Sequence, residues 1–87
     1  MSTDADINAV AIRLPEFQSH DPTTFFFHAE AQFELRNITQ DRTKFNHVIA
    51  SLPSNAINKV RDLIRKPPAN AYDKLKDMLL ARASQLN

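Results

Sequence analysis

Apolar and polar positions follow two rhythms along the chain. Val10, Ile12 and Leu14 alternate with Ala9, Ala11 and Arg13 until Pro15 interrupts, and this period of two predicts an extended arm or short strand over residues 9–17. No second strand pattern follows, so such an arm must pack on helices, pair with another chain or accept a peptide as its partner. Residues 1–8 carry Asp4 and Asp6 without any apolar run and are expected to be a disordered N-terminus. From residue 22 onward the period becomes helical. Asp21-Pro22 is a helix start, with a side-chain acceptor followed by a proline whose missing N–H costs nothing in the first turn, and the helix is predicted over 22–36. Phe45, Val48, Ile49 and Leu52 fall at i, i+3, i+4 and i+7 and define a second helix over 40–52 with Thr39 as its cap, ended by Pro53. Ala56, Ile57, Val60, Leu63 and Ile64 place a third over 54–66, capped by Ser54 or Asn55, before Pro67 and Pro68. Tyr72, Leu75, Leu79 and Ala83 share one face of a fourth, over 70–86, with Asn70 at its start. The expected fold is all-α: a small four-helix bundle-like domain spanning 9–87, with an extended N-terminal arm.

The first helix carries more apolar surface than one stripe can bury. Phe25, Phe26, Ala29 and Phe33 share one face, while Phe27, Ala31 and Leu35 make a second line on roughly the opposite side. This distribution predicts a central helix packed between neighbours. Its rival is an outer line, Phe27, Ala31 and Leu35, that meets another protein chain.

Composition removes several function classes. With 11 basic and 10 acidic residues the net charge is +1, too small a field to hold a polyanion, so direct nucleic-acid binding by this domain is not expected. No cysteine is present, which excludes thiolate catalysis, disulfides and cysteine-ligated metals, and no glycine is present, which excludes the glycine-rich loops that cradle phosphates. No stretch is long and apolar enough for a membrane span or a secretory leader, so a soluble intracellular protein is expected. The chain ends at Gln85-Leu86-Asn87 without a helix stop, and its last helix is expected to continue in a longer protein.

Candidate chemistry is sparse. Ser19, His20 and Asp21 name the residues of a hydrolase triad, but sequence neighbours cannot adopt the relay geometry, and Asp21 is needed as a cap. His28 and His47 lie on separate predicted helices, with His47 opposite the second stripe and expected in solvent. Asn37-Ile38-Thr39 is read as a chance match to a glycosylation acceptor. Arg61, Arg65 and Lys66 are read as cations complementing a helix C-terminus. No catalytic residue, metal site or cofactor is expected.

The order of residues nevertheless resembles a known family. Leu14-Pro15-Glu16-Phe17, Asp21-Pro22, Phe25-Phe26, Glu30-Ala31-Gln32-Phe33, Leu35, Ile38-Thr39, Asp41, Lys44-Phe45, Val48, Leu52-Pro53, Val60-Arg61-Asp62-Leu63, Pro67-Pro68, Tyr72 and Leu75-Lys76 resemble the Gag polyprotein of gypsy-type long-terminal-repeat retrotransposons over about residues 12–84. The resemblance implies the N-terminal lobe of a capsid region, a non-enzymatic module that joins other Gag capsid subunits in cytoplasmic virus-like particles. A domesticated neuronal relative, Arc, is similar in architecture and takes up short peptides in a hydrophobic groove. Carried over by position, that groove would be lined by Ile12, Leu14, Phe17, Phe25, Phe26, Phe45 and Tyr72. Phe25 stands where relatives commonly have Trp, and Phe27 where small or polar residues are common.

Overall fold

The computed structural model describes residues 12–85, with side chains through Ala81. Five helices follow one another: α1 Pro22–Leu35, α2 Asp41–Ser51, α3 Ser54–Lys59, α4 Arg61–Arg65 and α5 Ala71–Gln85. No strand occurs among the described residues, and the protein is all-α. Residues 12–18 carry no regular secondary structure and form an arm without strand pairing, while positions 1–11 of the expected N-terminus and arm lie outside the described residues.

Each helix begins for a different local reason. Asp21 caps α1, its carboxylate accepting from the Thr24 backbone N–H at 3.4 Å and the Thr24 hydroxyl at 2.7 Å, with Pro22 in the first turn. The end of α1 is a two-bond αL cap. Ile38 N–H donates to the Phe33 carbonyl at 2.8 Å and Asn37 N–H to that of Glu34 at 3.1 Å, with Asn37 at φ 58°. In a chain without glycine, asparagine takes the left-handed position.

The expected caps of the next two helices are corrected. Gln40, not Thr39, holds the N-cap position of α2, and its side chain makes no cap bond. Pro53, rather than Ser54 or Asn55, precedes α3, its carbonyl accepting from Ala56 and Ile57 N–H at 3.0 Å each. The single helix expected over 54–66 is also corrected, because it breaks at Val60. There the backbone turns to φ −120°, ψ 22°, and Val60 N–H bonds the Ile57 carbonyl at 3.1 Å, so the i to i−4 ladder is interrupted. The break lets Val60 bury completely while Leu63 and Ile64 remain half-buried against the core. Lys66 ends α4 outside the helical region, at φ −141° and ψ 77°, since the following proline disfavours the α conformation there.

Helix α5 packs against α2 and α1, and the core lies between them. Phe25, Phe26, Ala29 and Phe33 of α1 meet Phe45 and Val48 of α2 and Ala71, Tyr72, Leu75 and Leu79 of α5. The aromatic rings are edge-on to one another: Phe25 to Phe26 at 5.2 Å, Phe33 to Tyr72 at 5.8 Å and Phe26 to Tyr72 at 6.2 Å between centroids. His47 is half-buried rather than solvated, its ring tilted 6.1 Å from Phe33.

Candidate interaction surface

On the inner face of α1, the residues expected to line a groove are largely covered. Of the seven residues expected to line one, Phe17, Phe25, Phe26, Phe45 and Tyr72 belong to the buried core, and Ile12 and Leu14 are half-buried against it. The arm supplies the missing wall. Phe17 inserts edge-on against Phe25 at 5.2 Å between centroids, so the described arm lies against the core. Beside it lies a hollow of about 200 Å³ bordered by Pro15, Asp21, Phe25 and His28.

The outer face of α1 differs. Phe27 is 69 % exposed and Leu35 74 % exposed, and Ala31 lies between them, also exposed. The expectation of a central helix is therefore corrected: α1 packs through one face, and its second apolar line points to solvent. The reason is chain economy. Helices α2 and α5 both settle on the Phe25/Phe26/Phe33 side, and the short α3 and α4 continue from α2, so no described element remains for the other side.

A polar lock ties the three long helices at the rim of the core. The Tyr72 hydroxyl donates to Glu30 Oε2 at 2.7 Å, and Lys76 Nζ donates to the same oxygen at 2.7 Å. Lys44 Nζ stands 5.7 Å from the Tyr72 ring centre, and Lys76 Nζ 6.0 Å from that of Phe26. Burial pushes the Glu30 carboxyl up, but the hydrogen bonds from Lys76 and Tyr72 and the charges of Lys76 and Lys44 outweigh it and hold the group below its ordinary 4.5. Burial, then the bond to Glu30 and the surrounding carboxylates, drive the Tyr72 phenol well above its ordinary 10.0. An open hollow of about 380 Å³, bordered by Glu30, Lys44, Tyr72 and Asp73, lies over this lock. Asp41 completes the arrangement: both of its carboxylate oxygens accept from the Tyr72 backbone N–H, at 3.0 and 3.1 Å. A residue in the first turn of α2 thereby caps α5. Sequence reasoning gave Glu30, Asp41 and Lys76 no such roles, because their partners lie 31 to 46 residues away and no local pattern encodes that distance.

Asp21 is engaged with Thr24, and no group of three or more His, Cys, Asp or Glu among the described residues is placed to hold a metal ion. No described helix is long and apolar enough to cross a membrane. The described surface offers an apolar ridge on α1, an arm lying on the core and a mixed-charge hollow. Comparison with curated proteins and with solved structures gives no match. One family model, described as a domain of unknown function (DUF7041), matches residues 14–87, from the arm through the last helix, and the chain belongs to that family.

Proposed function

We propose that this domain is a structural assembly module of the Gag capsid type, which joins copies of its protein into a cytoplasmic shell. The observation that carries the reading is the exposed Phe27–Ala31–Leu35 line on a helix whose opposite face is closed by the core. Folding and association then use separate faces of α1. A shell gains strength by repeating weak contacts, since each subunit engages several neighbours at once. The absence of strong net charge suits close packing of identical subunits. The test is electron microscopy of the protein encoded by the full open reading frame that contains this chain. Shells or tubes at high concentration or salt are expected, and Phe27→Ser should abolish them while costing far less stability than loss of a core phenylalanine such as Phe33. A strictly monomeric protein at millimolar concentration would defeat the reading.

A second reading, a peptide-binding adaptor, draws on the arm. Ile12 and Leu14 are only half-buried on the core, and Phe17 contributes one edge-on contact to Phe25, so lifting the arm would uncover the face of Phe25, Phe26 and Tyr72. Deleting residues 1–14 should then shift the amide resonances of Phe25, Phe26 and Tyr72 and raise affinity for short apolar peptides. Unchanged resonances there would remove this alternative.

A further inference from the structure

The outer face of α1 is arranged symmetrically about Ala31. Phe27 and Leu35 stand four residues before and after it, and His28 and Glu34 three residues before and after. At ~100° per residue, Phe27 and Glu34 fall about 40° and 60° to one side of Ala31, and Leu35 and His28 the same angles to the other. All five residues are exposed. We propose that α1 pairs with α1 of a second copy of this chain, in parallel, about a twofold axis running along the Phe27–Ala31–Leu35 ridge. This rests on the assembly reading above and names one of its contacts.

Such an axis sets each ridge residue against its own counterpart and exchanges the flanks. Ala31 meets Ala31 at the crossing, where the small side chain lets the backbones approach. Each His28 then faces Glu34 of the other copy, so the same polar pair forms twice. Rows of residues spaced by four run ~26° from a helix axis, so two helices sharing such a ridge cross at about 50°, the commonest angle for packed helices. The charge on this face fits a copy of itself better than a strongly charged partner. Between Pro22 and Ala29 there is no Asp, Glu, Lys or Arg, and of the two acids in α1, Glu30 is held by Tyr72 and Lys76. Glu34 is left as the formal charge of the outer face, and His28 as its complement under the symmetry. A helix ~21 Å long offers less than the ~800 Å² per partner of a stable complex. The contact is therefore weak by itself, as a repeated lattice contact must be.

Because the chain has no cysteine, Ala31→Cys introduces a single thiol. A disulfide forms only where Cα atoms approach within about 4.4–6.8 Å. Under mild oxidation at high protein concentration, the 87-residue chain carrying Ala31→Cys should form a covalent dimer at least ~10 times faster than Asn55→Cys, an exposed position on α3. Adding Phe27→Ser, His28→Glu or Glu34→Lys should slow it, whereas His28→Glu together with Glu34→Lys should restore it, since the exchanged pair then has opposite charges. Circular dichroism of each variant confirms that the helices persist. Cross-linking no faster than the control, or no rescue by the double charge exchange, overturns the proposal. Shells that persist with Ala31→Arg would remove this contact while sparing the assembly reading, and absence of shells from the unsubstituted protein would remove that reading itself.

Discussion

Asp41 offers the sharpest test of how the helices are joined. Tyr72 is the second residue of α5, and its N–H is one of the first-turn donors that the helix cannot satisfy internally. Sequence places Asn70 where a capping side chain belongs, yet Asn70 contributes its backbone carbonyl, to Lys74 N–H at 3.1 Å, while the Asp41 carboxylate takes the Tyr72 donor. Asp41→Ala removes a hydrogen bond to a charged acceptor, ~1.5–3 kcal/mol, and a negative charge from the first turn of α2, ~0.3–1 kcal/mol. Partial solvation of the site argues for the lower part of the combined range, about 2 kcal/mol. For a domain of this size, 1 kcal/mol moves the midpoint by ~4–8 °C, so Asp41→Ala should lower the melting temperature by about 10 °C. Asp41→Asn keeps an acceptor without the charge and should lose about half as much.

The control is Asp73→Ala. Asp73 also sits in the first turn of α5, but it is exposed and acts on the helix dipole alone, worth ~0.3–1 kcal/mol. Thermal and urea unfolding of the three variants measures the difference, and amide exchange at Tyr72 should accelerate in Asp41→Ala. If Asp41→Ala loses no more stability than Asp73→Ala, the cross-helix cap is a contact without energetic weight and the reasoning fails.

Other perturbations separate core, cap and lock. Phe33→Ala should cost about 3–5 kcal/mol by lost burial and a residual cavity, and an unchanged melting temperature would place Phe33 outside the core. Asn37→Ala should cost ~1 kcal/mol because alanine resists the left-handed backbone there, whereas Asn37→Gly should be nearly neutral; equal losses in calorimetry would contradict the two-bond cap. Because the native Glu30 carboxyl is held below 4.5, its stabilisation is present above that value and is lost as pH falls through the native value. Lys76→Met should therefore flatten the acid limb of a stability–pH curve, and an unaltered limb would show that the lock does not contribute.

The long-range order of this fold was legible where a local rule was strong. The α1 boundaries followed from Asp21-Pro22 and the apolar period, the end of α2 from Pro53, and the end of α4 from the Lys66-Pro67 junction. The break at Val60 was not legible, since Ala56, Val60 and Ile64 suit one continuous stripe; only three-dimensional packing favours turning Val60 fully inward. Capping failed in the same way. Ser54 and Asn70 are good local acceptors, but the Pro53 carbonyl and Asp41 take first-turn donors of those helices. The residues assigned to a groove lie together in or against the core, because apolar side chains that line a groove and those that fill a core share one signature. The polar lock was invisible for a further reason: Glu30, Tyr72 and Lys76 are unremarkable singly and gain meaning only once α1 and α5 are side by side.

What the fold itself asks of Phe27 is small. A phenylalanine offers ~200 Å² of surface, and with 69 % still exposed the native chain removes only about a third of that from water. At ~25 cal/mol per Å² this is no more than about 1.5 kcal/mol, an upper bound because the unfolded chain also hides part of the ring. The remaining share, roughly 3 kcal/mol on the same scale, is released only when a second surface covers the ring. Leu35, one ridge step beyond Ala31 and 74 % exposed, is in the same position. Single exposed apolar residues are ordinary on any protein; two large ones on one straight ridge of an otherwise well-packed helix are less so. Most of the hydrophobic free energy of this ridge is thus unused by folding. Substitutions along it should change association far more than stability, whereas substitutions at Phe25, Phe26 and Phe33, on the opposite side of the same helix, should do the reverse.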